Sequence, residues 1–383
     1  MPDTISRVLA GCVATDGVPP LTRPSSVPGP VCTSFSLPQS SSNLIMKHRL
    51  WLLGASALAL SASVRAQTVF PETEPNDNKA GANVTPCLTS GDSITGTTTG
   101  TSTTLAGAAS SDNFRVKTCA LAPGVYQHRL ALTTAGPAGH IGSIRGVLQA
   151  AYVPNTTSDA LFQLASAATA PIRTCQWYGF GLQEEIYYRV TGTATTTASY
   201  TATLTTTPVS PTVVAGSFLP GTITVDCTPQ TTVDTEMWLY DGAFNPIGGS
   251  DEPGLTPISG RPAKVVRTLA AGTYTVVVSN WNSANNLPLN PLEDIAGDDA
   301  LLDFPNAIAN SSTTTAVNCS FTVSDGVTTQ VVTATKAGIF DMLAATFTVG
   351  TPPAFNAFCA GDGSLTDHTT PCPCGNNGAP GNG

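Results

Sequence analysis

No stretch of this 383-residue chain keeps apolar residues at helical spacing over three turns, which removes most architectures from consideration. Short alternating runs take their place. Asn113-Phe114-Arg115-Val116-Lys117 alternates apolar and polar side chains as a half-buried strand does. Pro123-Gly124 then opens Val125–Leu132, and Ile144–Gln149, Ala160–Leu164, Arg173–Phe180, Glu185–Val190 and Ser199–Leu204 follow in the same style. A second block reads Thr222–Asp226, Glu236–Tyr240, Lys264–Leu269, Thr273–Ser279, Val317–Val323 and Thr328–Ala334. Gly, Pro, Asn and Asp separate these runs at intervals that suit antiparallel sandwiches. Only 11% of residues are charged, while 35 Gly and 30 Pro break the chain, so many short β-branched strands are expected rather than helices. The fold class expected is all-β, with two antiparallel β-sandwiches in tandem at 67–207 and 208–350. The segment Thr206-Thr207-Pro208-Val209-Ser210-Pro211 marks the boundary between them.

An internal echo supports two similar units. Glu185–Val190 followed by Ser199–Leu204 matches Gly272–Val278 followed by Cys319–Val323: a Tyr-bearing strand, then one built on aromatic-Thr alternation. The second unit carries a longer insertion, Asn280–Ser312, rich in Asn, Asp and Pro.

The N-terminus is two unrelated pieces. Residues 1–45 are rich in Pro and Ser without periodicity, and read as disordered or as upstream sequence translated in error. Met46-Lys47-His48-Arg49, the apolar run Leu50–Ala62 and the small residues of Val64-Arg65-Ala66 have the layout of a secretory signal peptide over 46–66. The rival reading, a membrane anchor, needs about 20 apolar residues, and the run is shorter. Export is therefore expected, to the extracellular space or the cell surface. Of 16 basic and 25 acidic residues overall, five and two lie in 1–66, leaving 11 basic and 23 acidic beyond it. That balance repels polyphosphates and excludes nucleic acid as a partner.

Eight cysteines follow Ala66: Cys87, Cys119, Cys175, Cys227, Cys319, Cys359, Cys372 and Cys374. An even number in an oxidising compartment argues for disulfides over metal thiolates. The pairs expected are Cys119 with Cys175 and Cys227 with Cys319. The tail at 351–383, with Cys359-Ala360-Gly361 and Cys372-Pro373-Cys374-Gly375, is read either as a module cut short before its last cysteine or as a flexible Gly-rich end.

Glu72-Thr73-Glu74-Pro75-Asn76-Asp77-Asn78 is the densest group of oxygen donors. Glu72, Glu74, Asn76 and Asp77 lie within six positions, Pro75 holds the run extended, and Asn-Asp-Asn favours a turn. Such a segment suits a hard cation such as Ca²⁺, which takes six to eight oxygen ligands. A solvated acidic linker is the plain alternative.

Glu74-Pro75-Asn76-Asp77, Asp112-Asn113-Phe114, Pro123-Gly124-Val125-Tyr126, Asp234–Asp241 and Leu269–Tyr274 together resemble bacterial pre-peptidase C-terminal domains over roughly residues 69–325. The resemblance implies jelly-roll-like β-sandwiches appended to secreted proteins, some of which bind matrix polymers. In collagen-binding members the acidic segment before the first strand ligates Ca²⁺. It therefore implies a structural calcium site at Glu72, Glu74, Asn76 and Asp77, with Asp112 contributed by the sandwich. The tail resembles a small Cys/Gly module at the ends of exported bacterial proteins. The chain departs from the family in having no peptidase domain ahead of the sandwiches, and in Asp159-Ala160-Leu161-Phe162, a poor copy of the acidic-apolar strand. Neither collagen nor any other ligand carries over.

Catalytic groups are few. Neither a G-x-S-x-G elbow nor an H-E-x-x-H pair occurs. His128 sits mid-strand as a structural histidine, and His140 lies in a Gly139–Gly142 turn. Glu184 and Glu185 are adjacent on a strand and point to opposite faces, so they cannot act as a carboxylate pair. Trp177, Tyr178 and Trp281 are candidate stacking residues, with core packing as the alternative fate of the Trp177–Phe180 run. The function expected is non-catalytic adhesion, surface assembly or accessory binding, with a polysaccharide or an extracellular or surface protein as partner. A hydrolase with an unrecognised site is the competing class. If the leader is processed, the exported protein begins at Gln67, as N-terminal sequencing and intact mass will show; a mature product retaining residues 1–45 contradicts the assignment.

Overall fold

The computed structural model describes residues 66–99, 110–134, 140–148, 159–165, 172–192, 198–251, 262–287 and 300–350. Residues 1–65, hence nearly all of the leader, and the tail with Cys359, Cys372 and Cys374 lie outside the described residues. The described chain is almost entirely strand, with a single 3-10 turn at Lys79–Gly81. Among these residues no helix is long and apolar enough to cross a membrane, a statement about helices and not about strands.

Ten strands come from the first half: β1 (Val69–Pro71), β2 (Asn83–Leu88), β3 (Ser93–Thr97), β4 (Ser111–Thr118), β5 (Val125–Thr134), β6 (Ile141–Leu148), β7 (Ala160–Leu164), β8 (Ile172–Gly179), β9 (Glu185–Thr191) and β10 (Ser199–Val209). The period of two expected from sequence governs their faces. Phe114, Val116, Ile186, Tyr188 and Val190 turn inward from β4 and β9, while Arg115 and Lys117 turn out to pair with Glu185. Strands β3, β10, β5 and β8 form the facing sheet, whose Ile94, Ala202, Leu130, Leu132 and Trp177 complete the core.

The chain then continues through β11 (Thr212–Val213), β12 (Gly221–Asp226), β13 (Thr235–Tyr240), β14 (Pro246–Ser250), β15 (Lys264–Leu269) and β16 (Gly272–Asn280). It crosses back as β17 (Ser283–Ala284), β18 (Ala300–Leu301) and β19 (Ala307–Asn310), then returns as β20 (Val317–Asn318), β21 (Phe321–Ser324), β22 (Thr329–Val332), β23 (Thr335–Lys336) and β24 (Leu343–Val349). A second core lies between sheet β11-β24-β16-β13-β14 and sheet β15-β12-β21-β22, built on Met237, Leu239, Val276, Phe347, Ile223, Val225 and Phe321.

The Asn280–Ser312 insertion is the structural surprise. It extends both sheets of the first sandwich. β19 pairs with β8 (Ala307 opposite Gly179, Ile308 opposite Tyr178), and β18 pairs with β6 (Leu301 opposite Val147). Leu302, Ala307 and Ala309 join the first core. Asp303 meets the buried ammonium of Lys79 at 2.8 Å, which also donates to Gly146 O at 2.7 Å. A seam of Val125, Tyr178, Phe180, Trp238, Tyr240, Val277, Ile308 and Met342 joins the two sandwiches. Phe180 lies 4.6 Å from the Tyr240 ring and 4.7 Å from that of Phe244.

The internal echo has a different register from the one the sequence suggests. Tyr126 Oη donates to Ala122 O at 2.9 Å, and Tyr274 Oη donates to Ala270 O at 2.9 Å. Leu121–Tyr126 and Leu269–Tyr274 are thus the same corner, and β16 corresponds to β5 rather than to β9. The strand that pairs antiparallel with β16 is β24, as β10 does with β5. The run expected as one strand over Val317–Val323 is broken at Cys319-Ser320.

The disulfide pairing also needs correction. Cys119 is bridged to Cys87, with Cα atoms 4.7 Å apart, because β2 runs parallel beside β4 with Leu88 opposite Thr118. Cys175 stays a buried thiol: it points into the core from β8, beside its cross-strand neighbour Leu130 on β5 of the same sheet. Cys227 and Cys319 are buried thiols too. The β12–β21 register sets Asp226 against Thr322, which places Cys319 off the position facing Cys227.

The Lys79–Asp303 pair makes the crossing testable. Asp303→Ala strands a buried ammonium and should cost about 3–5 kcal/mol in urea unfolding. Lys79→Met/Asp303→Leu should recover most of that. A cost in the range of exposed ion pairs would show that the crossing contributes little to stability.

Candidate metal centre

The acidic segment follows directly from β1, which pairs parallel with β3. Glu72 N donates to Thr95 O at 2.8 Å, so the Glu72 side chain arrives over Gly96. A Cβ on Gly96 would overlap the Glu72 carboxylate and the Tyr200 hydroxyl, so glycine is what leaves them room. Thr97 N donates to Glu72 Oε1 at 2.7 Å and Tyr200 Oη lies 3.2 Å from Oε2. Glu74 Oε1 accepts from Ser110 Oγ at 3.1 Å, and its Oε2 accepts from Asn76 N at 3.1 Å. Asn113 at the head of β4 grips the Asn76 carbonyl through its backbone N–H (3.0 Å) and its amide (2.9 Å). Asn78 caps the turn that follows by accepting from Gly81 N at 2.9 Å.

This path brings one oxygen each of Glu72, Glu74 and Asp112 within 4.8 Å of one another. Asp112 is wholly buried; its Oδ2 accepts from Tyr200 Oη at 2.5 Å, and its Oδ1 has no hydrogen-bond partner. Asp77 stands one hydroxyl away, sharing Ser110 Oγ with Glu74 at 3.3 Å and accepting from Ser111 N at 3.3 Å. Asn76 is also wholly buried, and its Oδ1 likewise has no partner.

Burial, the Glu72 carboxylate beside it and the charge of Glu74 push the Asp112 carboxyl well above the usual carboxylate range, against the pull of the Tyr200 donor. Burial, then the carboxylates of Asp112 and Glu72, raise the Tyr200 hydroxyl. His140 is fully buried rather than exposed in a turn. It sits 5.2 Å from the Tyr200 ring and 3.2 Å from Thr98 Oγ1, with its pKa lowered by burial against the opposing pull of Glu72. The groups acting on Asp112 are two carboxylates and a tyrosine, with no cation among them.

The aromatic candidates do not share a face. Trp177 is wholly buried in the first core and Tyr178 is buried in the seam, so neither is open to a ligand. Tyr178 Oη is committed to Gln127, Gln176 and Met342 N. Trp281 is 46% exposed. Glu184 and Glu185 do point to opposite faces: Glu185 pairs with Arg115, while Glu184 is wholly buried. Burial acts to raise Glu184, yet His128, Thr118 and backbone N–H donors outweigh it and bring the carboxyl down to about 2. His128 lies enclosed between the ring of Trp177 (5.3 Å) and Thr206 Oγ1 (2.9 Å), with Nε2 3.6 Å from Glu184 Oε2.

Sequence reasoning missed Gly96, Ser110 and Tyr200 at the acidic centre. They lie on three separate segments, and no spacing signal joins them to residues 72–78.

No family model matches the chain, and no curated protein matches it. Among solved structures it is similar to the pre-peptidase C-terminal domain of a collagenase from Bacillus anthracis. The identity is 10% and the TM-score 0.22, over 35% of this chain and 99% of that one. The likeness is compatible with a β-sandwich of that kind and carries no ligand or activity.

The two buried carboxyls give opposite pH dependences. Asp112, raised in the folded protein, keeps a proton that the unfolded chain releases above about pH 4, so cation-free protein loses stability as pH rises from there. The slope is at most about 1.4 kcal/mol per pH unit. Glu184, lowered to about 2, supplies stability above the ordinary glutamate pKa of about 4.3 that is lost as pH falls toward 2. Asp112→Asn should flatten the slope on the neutral side in chelator while leaving the acid limb in place. Urea melts from pH 3 to 9 will show this, and an unaltered curve counts against a protonated Asp112.

Proposed function

We propose that this is an exported, non-catalytic binding protein whose first sandwich is locked by a structural calcium ion at Glu72, Glu74 and Asp112. Asn76 and Asp77 complete the oxygen set. The observation that carries this reading is the buried, unpartnered Asp112 Oδ1 on a carboxylate grouped with those of Glu72 and Glu74, with a second unpartnered oxygen, Asn76 Oδ1, on the same acidic segment. A buried carboxylate left without a cation must hold a proton, whereas a hard divalent ion satisfies the group. All donors are oxygens, and Gly96 keeps the space beside Glu72 clear. An ion here would tie the segment ahead of β2 to β4 and, through Tyr200, to β10, adding to the Cys87–Cys119 bridge that joins β2 to the end of β4.

The Met46–Ala66 pattern and the acidic balance support an address outside the cell. The enclosure of His128 and Glu184, both fully buried, favours the non-catalytic class over a hydrolase. The collagen-binding activity of a relative does not enter this reading.

Extracellular calcium modules bind at about 10⁻⁴–10⁻³ M. At free calcium about 100 times the dissociation constant, linkage adds roughly 2.7 kcal/mol. For a chain of this size that raises the melting temperature by roughly 5–10 °C. Magnesium should do much less, since it dehydrates reluctantly. Calcium should also displace the Asp112 proton, giving proton release near neutral pH in weakly buffered titrations. Glu74→Gln/Asp112→Asn should abolish both signals. Equal melting in calcium and chelator returns residues 72–78 to an acidic linker.

A further inference from the structure

A groove of about 810 Å³ lies where the crossing segment returns to the second sandwich, bounded by Asp234, Asn280, Trp281, Asn282 and the Ser311–Asn318 stretch. Three properties of this groove define what fits it. Trp281 is 46% exposed on its rim, whereas Trp177 and Trp238 are buried. Asn280 is only 8% exposed, and its Nδ2 is used by Ser312 Oγ (2.6 Å) and Trp281 O (3.2 Å), yet its Oδ1 is buried without a partner. Asp234 Oδ1 is a second buried oxygen without a partner, on a carboxyl whose pKa burial raises. The Asp234 carboxylate, half-buried on the groove wall, is an acceptor for a ligand that brings donors. The residues lining the groove include no Lys or Arg, and the carboxylate of Asp234 disfavours anions. Thr313, Thr314 and Thr315 add exposed hydroxyls along one wall.

We infer that this groove binds a neutral oligosaccharide of β-linked gluco-configured pyranoses. The C–H face of a sugar stacks on Trp281 while its hydroxyls donate to the half-buried Asp234 carboxylate and bond to the hydroxyls of Thr313, Thr314 and Thr315. Such a ring presents a flat apolar face together with equatorial hydroxyl donors at its edge, the complement of an indole beside a carboxylate and a row of hydroxyls. The inference gives a partner class to the binding role proposed above, at a site separate from the acidic centre.

The test uses the mature chain from Gln67 onward, titrated with cellohexaose and chitohexaose, and read by calorimetry and by acrylamide quenching of tryptophan fluorescence. Among the tryptophans of the mature chain only Trp281 is accessible, so bound sugar should protect it from quencher. Trp281→Ala should weaken binding by roughly tenfold or more, and Asp234→Asn, close in shape, by several-fold. Circular dichroism and the calcium-dependent melting shift report whether each variant is folded. The proposal is overturned if folded protein shows neither heat nor protection with either sugar at millimolar concentration. It is equally overturned if Trp281→Ala binds as the parent does, or if only an anionic heparin hexasaccharide or a collagen-model triple-helical peptide binds. Retention of the calcium shift in a protein that fails the sugar test would leave the acidic centre standing and remove this site alone.

Discussion

The pairing of β19 with β8 is the contact on which the rest of the molecule leans. Two residues, Ala307 and Ile308, continue the first sandwich's sheet past Gly179 and Tyr178, although they belong to a chain segment that starts and ends in the second sandwich. β8 is buried on both faces: Trp177 enters the first core and Tyr178 enters the seam, where Ile308 of β19 packs with it. A strand in this position cannot present aromatics to a ligand, which is why the Trp177–Phe180 run is structural. The seam then holds polar groups as firmly as apolar ones, with Tyr178 Oη receiving Gln127, Gln176 and the backbone of Met342. Separating the sandwiches would break the Met342 N bond to Tyr178 and those of the Gln176 amide to Phe340 O (3.1 Å) and Asp341 Oδ1 (3.0 Å), so the seam resists opening beyond what its apolar area supplies.

The acidic centre depends on a second set of ties. The Cys87–Cys119 bridge closes a 32-residue separation and fixes β2 against β4, a constraint of about 3–4 kcal/mol in the loop-entropy account. Asn113 holds the Asn76 carbonyl from the head of that same β4, and Asp112 precedes it. The segment is therefore anchored at both ends before any ion binds. What stays unresolved without a cation is charge: two carboxylates meet a fully buried third, and the local answer is to keep a proton there. The calcium site proposed here rests on an all-oxygen donor set that is partly pre-placed.

The Trp281 groove exists only because the insertion returns across the end of β13 and β16. Ser311 and its neighbours form one wall, and Asp234 with Asn280 the other. Lys336, wholly buried, supports that wall from beneath by donating to the carbonyls of Ser312 (3.0 Å) and Thr314 (2.7 Å). One segment thus extends the first sandwich, seals the seam and shapes a concave surface.

The all-β class, most strand positions and the opposite facing of Glu184 and Glu185 were determined by the sequence itself, because alternation with period two is a local property that each strand carries alone. The acidic run at 72–77 was legible for the same reason: its donors are neighbours in the chain. Tertiary structure decided what is brought to them. Asp112 meets Glu72 only because β1 lies beside β3 and β10 brings Tyr200 over both. His140 is buried against that tyrosine, although Gly139–Gly142 reads as a turn. Cys119 meets Cys87 because β2 and β4 run parallel, a register that cysteine spacing does not encode. The insertion gave no strand signal because its strands are two to four residues long, and β18 and β19 complete sheets whose strands lie more than a hundred positions away. Short pieces of that kind carry no periodicity of their own, and their structure comes from the edges they complete.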